Sequence, residues 1–299
     1  MRHSSLMRSR ALTAALGLTL VSGCNTPVEQ SVASNGGTRP TSIIGGVVAG
    51  NAFSNVGGLV VRTSETQPWR PYCSGTLIAP DVFLTTGHCA FFASALFGEL
   101  VQLGIHFDPV LTIGTEVITA GTWIVHPQFD PRTFVLPTPA LHPDTHDLSI
   151  FVMNRPVAGI RAARLPERGS LARSIEDDED EPITITTVGY GVQAKGEAVT
   201  NQVTGGTRKA ATGTLAVVDD AWLQISPDTG IMCGGDSGGA NVIGSSGLAA
   251  KRRFVERVIA TSTNANCNRA ANFAMLYRLD TDSALGFLGK YVEGHGEED

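Results

Sequence analysis

The sequence predicts an all-β protein, a barrel or a sandwich, from three observations. Short apolar runs rich in Val, Ile and Thr recur along most of the chain, separated by Gly, Pro, Asn and Asp. Thirty-four glycines supply the turns that many short strands require. Only 17% of residues are charged, which leaves ample apolar material for a core. In chain order the runs are "GGLVVRT" from Gly57, "GTLIAPDVFLTT" from Gly75, "TWIVHP" from Thr122, "DLSIFVM" from Asp147 and "ITITTVGYG" from Ile183. Asp282 to Val292 is the one stretch with helical character, and residues 293–299 read as a disordered tail. The formal net charge of −6 argues against nucleic acid as a partner.

Residues 1–24 read as an export address. Arg2, Arg8 and Arg10 precede an apolar run, Ala11 to Val21, that is short for a bilayer span, and "SGC" follows. "VSGC" is similar to a bacterial lipobox, in which Cys24 becomes the lipid-modified first residue. The plainer alternative is an ordinary signal peptide with an incidental cysteine. Residues 25–42, rich in Ser, Thr, Gly and Pro, read as a flexible tether or propeptide. The cysteines stand at 24, 73, 89, 233 and 267. Setting Cys24 aside leaves enough for two disulfides in an oxidising compartment, and the absence of a CxxC pair leaves zinc-ribbon and thioredoxin-like readings without support.

Three polar clusters invite a ligand reading, and each has a plainer one. "EDDEDE", Glu176 to Glu181, could offer carboxylate oxygens to calcium but reads better as a solvated loop. "KRRFVER", Lys251 to Arg257, reads as an exposed hairpin strand rather than a basic patch. His142 and His146 are four apart, as on a metal-binding helix, but Pro143 and the strand that follows argue against a helix there.

The chemistry is concentrated in "CGGDSGGA", Cys233 to Ala240, where Ser237 lies among four glycines. A catalytic serine needs a base, a group to orient that base, and donors aimed at the developing oxyanion. Glycines let the backbone turn sharply and let a substrate carbonyl approach. The same letters match the nucleophile elbow of α/β-hydrolases, in which the base follows the nucleophile. Here the sole histidine after Ser237 is His295, in the acidic tail, so that reading fails. Upstream stand His88 in "TTGHCA" and Asp147 in "HDLSI", giving the order His, Asp, Ser.

These segments together resemble the trypsin/chymotrypsin-like serine peptidase family from about Ile43 to Val292. "IIGG" at Ile43 resembles its new N-terminus after activation, "CSGTLIAPDVFLTTGHC" its histidine segment and "HDLSI" its aspartate segment. "TVGYG" resembles a strand start in its second barrel, "CGGDSGGA" its nucleophile loop, and "STNANC" the segment lining its specificity pocket. The resemblance implies two antiparallel six-stranded β-barrels (chymotrypsin-like), roughly 43–155 and 156–280, with the site between them and a short C-terminal helix.

It also implies roles. Ser237 is the nucleophile, His88 the base, and Asp147 the residue that orients it. The N–H groups of Gly235 and Ser237 form the oxyanion hole. Asp236 pairs with an α-amino group freed at Ile43, Ser262 supports Asp147, and the disulfides are Cys73–Cys89 and Cys233–Cys267. No metal or organic cofactor is implied. The partners are polypeptide substrates, bound as an added strand, and an activating protease; the protein is a monomer that meets a membrane only through lipid on Cys24.

The chain departs from the family in places. Ala240 replaces a usual proline, and Thr86 and Gly87 replace two alanines. Six residues before Ser237 stands Ile231, where trypsin-like members carry aspartate; Asn264 and Ala274 are the wall positions, and Thr263 stands where tryptophan is common. An apolar floor favours uncharged P1 residues over Lys or Arg. Ser42 precedes Ile43, and Arg39 is followed by Pro40, so a trypsin-like activator would not cut there. Neither implied disulfide would hold residues 24–42 after a cut before Ile43, so maturation would release the enzyme from its anchor. The competing readings are a non-catalytic cell-surface binding module on the same fold, and an esterase.

Overall fold

The computed structural model describes residues 43–177, 182–191, 205–230, 232–244, 257–263 and 273–292, all within one compact unit. The expectation of an all-β architecture holds. A two-residue strand, β1 (Val47–Val48), precedes β2 (Val56–Arg62), β3 (Arg70–Ala79), β4 (Val82–Thr85), β5 (Gln102–His106), β6 (Gly121–Val125) and β7 (Ser149–Met153). The second half supplies β8 (Thr184–Gly189), β9 (Lys209–Val218), β10 (Trp222–Pro227), β11 (Ala240–Ile243), β12 (Ala260–Ser262) and β13 (Ala274–Arg278).

The second sheet runs β1-β9-β10-β13-β12-β11-β8, and β8 also pairs with β9, so six strands close into a barrel with β1 as an added edge. The first sheet runs β5-β2-β3-β4-β7-β6 and stays open. It curls without closing because the segment between β5 and β6 contributes one bridge, Ile105 with Ile118, in place of a ladder. Of the two expected barrels, one is closed and the other is a half-barrel. The chain start crosses over as well: Val47 pairs with Ala210, so β1 belongs to the second sheet.

Runs that are apolar on both faces become strands buried on both faces, as in β4, whose four residues are all buried. One apolar cluster packs the two sheets together through Phe53, Leu84, Ile150, Trp222, Tyr277 and Leu288, and smaller clusters fill each sheet's interior. Three helices occur among the described residues, where the sequence suggested one: α1 (Gly87–Phe97), α2 (Ser170–Asp177) and α3 (Asp282–Val292). The last matches its expected bounds. Glu176 and Asp177 end α2 rather than starting a loop, and the rest of the acidic run lies outside the described residues. Cys24 and the lipobox expected there, the expected 25–42 tether, residues 251–256 and residues 293–299 also lie outside them. Among the described residues no helix is long and apolar enough to cross a membrane.

A buried guanidinium joins the halves. Arg208 is 1% exposed, and its Nε donates to Val56 O at 3.0 Å and to Tyr190 Oη at 2.8 Å. Nη1 donates to Gly50 O and Ala52 O, and Nη2 to Phe107 O. The Tyr190 ring lies 5.5 Å from the guanidinium carbon. Replacing the group strands several buried carbonyls, and a buried polar atom left unpaired costs ~1–3 kcal/mol. Arg208→Met should therefore lower stability by roughly 2 kcal/mol, a loss of about 4–8 °C in Tm. A thermal melt unchanged within about 2 °C would show that this fan of bonds contributes little.

Candidate active site

The site begins with the start of α1. Gly87 opens the helix, and a Cβ there would come within 3.1 Å of the Phe129 ring and 3.2 Å of Leu148 O. That crowding holds the first turn against the segment carrying Asp147. The first amides of a helix have no partner within it. The amide of His88 finds one in Asp147, which accepts it on Oδ1 at 2.8 Å. Oδ2 of the same carboxylate lies 2.8 Å from His88 Nδ1. Asp147 is fully buried, with both carboxylate oxygens engaged at the start of α1. The arrangement sets Nδ1–H toward the carboxylate; Nε2, 3.5 Å from the Cys89 sulfur, is the nitrogen left with a lone pair. The Phe134 ring stacks on His88 at 5.3 Å and 23°.

The loop carrying Ser237 is held to the first sheet by β3. Ser74 N donates to Ser237 O at 2.8 Å, and Gly238 N donates to Ser262 O at 2.8 Å. Gly235 and Gly238 have φ of +92° and +83°, where an L side chain is strained. At Gly238 a Cβ would also lie 2.2 Å from both Ser74 O and Thr85 Oγ1. The glycines flanking Ser237 are thus required by backbone conformation and by close packing. The same packing brings Ser237 beside Thr85, three residues before His88. Ser237 Oγ makes no hydrogen bond among the described residues, and contacts of this kind commonly tighten only when substrate is bound.

Asp236 points the other way, into the second barrel, and is completely buried. Its Oδ1 accepts from Gly191 N at 2.8 Å and its Oδ2 from Cys233 N at 2.9 Å, and the Ile43 amide also donates to it. No cation faces it among the described residues, and burial outweighs these bonds to push its pKa up to about 7. Ile43 is itself buried, so the sequence-expected pair is already in contact while the chain runs on through Ser42.

The trypsin family profile matches residues 43–280. The chain belongs to the trypsin family. Among solved structures of chymotrypsin-like fold, HL collagenase is similar with a TM-score of 0.55 and 18% identity, covering 86% of this chain and all of that one. Human heparin binding protein matches with a TM-score of 0.57 and 14% identity over 86% of this chain and 99% of its own. A mutant of that protein matches at 0.57 and 13%, over 85% and 98%. A search of curated protein sequences returns no match. At these identities the neighbours establish the fold alone.

The remaining positions that trypsin-family membership singles out fare unevenly. Cys73 and Cys89 are joined, with Cα atoms 6.4 Å apart, behind the histidine. Cys233 is disulfide-bonded, with its partner outside the described residues, where Cys267 lies. Ile231 and Asn264 also lie outside them; Ala274 is buried at the start of β13. Ser262 is buried on β12; its hydroxyl accepts from Asn241 Nδ2 at 3.2 Å, and among the described residues it makes no bond to Asp147.

The metal-like pairs dissolve on inspection. His142 faces Asp219 at 3.1 Å, while His146 bonds Ser283 at 2.9 Å, so the two do not converge. Cys73, His88 and Cys89 lie close together, but both sulfurs are spent in the disulfide. His106, buried against Tyr190, has its pKa pushed down to about 4 and stays neutral. Sequence reasoning missed Ser74, Phe134, Asn241 and Arg208. The only cue was "TRKA", an Arg-Lys pair leading directly into an apolar strand.

Proposed function

We propose that this trypsin-family chain is a serine endopeptidase working through an acyl-enzyme. The observation that carries the reading is the Asp147 carboxylate spanning the His88 amide and imidazole, beside a loop that offers Ser237. Ser237 Oγ attacks the scissile carbonyl carbon as its proton passes to His88 Nε2. The N–H groups of Gly235 and Ser237 receive the oxyanion. As the C–N bond breaks, His88 returns the proton to the leaving amine, and water then hydrolyses the ester by the same route. No step needs a metal or an organic cofactor. Ile231, Asn264 and Ala274 are proposed to line a P1 pocket for uncharged side chains.

The chain is further proposed to be exported, held by lipid on Cys24, and activated by a cut before Ile43 that lets the new ammonium meet Asp236. A binding-module reading gains something from neighbours named for heparin binding. The net charge of −6 opposes binding of such a polyanion. An esterase would be told apart by turnover of esters without amides.

The test is intact mass after fluorophosphonate treatment of membrane and soluble fractions, with Ser237→Ala as control, followed by a peptide set varied at P1. The expected result is one adduct on a chain beginning at Ile43, none on the control, and cleavage after uncharged residues. An unlabelled chain that does begin at Ile43 would overturn the peptidase reading. Best cleavage after Lys or Arg would overturn the pocket assignment.

A further inference from the structure

Ser74 sits where the two barrels and the Ser237 loop meet, fully buried on β3. Each of its polar groups is engaged, the amide and the hydroxyl across that junction. Its N–H donates to Ser237 O at 2.8 Å, and its carbonyl accepts from Thr85 Oγ1 at 2.7 Å. Its hydroxyl donates to Gly235 O at 2.8 Å and accepts from Tyr190 N at 2.9 Å. Tyr190 follows β8 of the second barrel, and its own hydroxyl donates to Asp108 O at 2.8 Å in the first half, with Val56 O 3.2 Å away. One serine hydroxyl therefore ties β3, the end of β8 and the Ser237 loop to a single point.

The tie falls on the residue with most freedom to move. Gly235 has φ of +92°, a conformation that glycine reaches and leaves easily. Its N–H is a donor of the proposed oxyanion hole, and its carbonyl, one residue's dihedrals away, is what Ser74 holds. Fixing the carbonyl limits how far the N–H can rotate out of line. The neighbouring restraint, Asp236, depends on that carboxylate's charge and on the state of Ile43. The hydroxyl bridge carries no charge and depends on neither.

We propose that Ser74 is a positioning residue: its hydroxyl, bridging Tyr190 N and Gly235 O, keeps the Gly235 N–H aimed at the oxyanion. This rests on the peptidase reading above. Catalysis by such donors is sensitive to geometry, and losing one outright typically costs ~10²–10³ in rate. Loosening one while leaving it present should cost less, about tenfold.

The test compares wild type with Ser74→Ala, both beginning at Ile43, on a peptide amide substrate, a peptide aldehyde and the matching product acid. The aldehyde forms a tetrahedral adduct with an oxyanion; the acid reports ordinary binding. The alanine variant should show kcat down about tenfold, aldehyde affinity down by a similar factor, and KM and acid affinity within about twofold. The acid limb of its pH profile should not move. Unchanged kcat and aldehyde affinity in an active protein would overturn the positioning role and leave the peptidase reading intact. So would equal losses in KM, acid affinity and kcat, which would mark a general structural role. A wild type that neither turns over amide nor binds the aldehyde would overturn both.

Discussion

Asp147→Asn should lower kcat by about 10⁴ while leaving KM close to wild type. The reason lies in how fully the carboxylate is used. Oδ1 accepts the His88 backbone amide and Oδ2 faces His88 Nδ1, each at 2.8 Å. Both bonds need an acceptor when Nδ1 carries its proton. An asparagine offers one acceptor and one NH₂ group. With its oxygen toward the amide, the NH₂ meets Nδ1 and forces the tautomer in which Nε2 bears the hydrogen, and that ring cannot take a proton from Ser237. With the oxygen toward Nδ1, the NH₂ opposes the His88 amide and strands a donor at the start of α1. Either orientation would damage the proposed base. The measurement is steady-state turnover of a peptide amide across pH. A loss below tenfold would mean that the carboxylate is not what orients the base. A large rise in KM would mean that the substitution had disturbed binding instead.

That prediction uses the proposed triad, whose residues the sequence singles out for a local reason. A base, an orienting acid and a nucleophile must be particular residue types, and each sits in a short segment with a distinctive surround, such as the four glycines about Ser237. Strands such as β4 and β8 were equally open to reading, because continuous Val, Ile and Thr runs leave few alternatives. What stayed hidden depends on meetings across the chain. Ser74 is an ordinary strand serine until Gly235, 161 residues on, accepts its hydroxyl. The bond that Asn241 gives the Ser262 hydroxyl, 21 residues on, is equally invisible in the sequence. The helix α1 was obscured because "GHCAFFASALF" is apolar almost throughout and shows no polar face. Closure of one barrel and opening of the other follow from pairing between strand edges, which no single segment encodes.

The protein that still continues upstream of Ile43 should lose stability as pH rises, and the cut protein should not. In the continuous chain Ile43 can offer Asp236 only a neutral amide, and burial holds the carboxyl's pKa up at about 7. An unfolded chain releases that proton near the ordinary carboxylate value of ~3.9. Between those values the folded state binds a proton that the unfolded state has lost, so its stability falls with rising pH. The contribution is fully present below the unfolded value and is lost as pH rises through about 7. At ~1.4 kcal/mol per unit, the whole displacement is worth about 4 kcal/mol, of which about 2–3 kcal/mol should disappear between pH 5 and pH 8. Cutting before Ile43 places an ammonium where the amide was. The opposite charge favours the ionised carboxylate, lowers its pKa and reverses the slope, so that stability is then lost toward acid. Melting both forms of Ser237→Ala, which cannot digest itself, isolates the effect, since the other described titrating groups are common to the two. Adding Asp236→Asn to the uncut form should flatten its slope. Parallel slopes in cut and uncut protein would show that the ammonium does not reach Asp236, and the activation pair would then have to be abandoned.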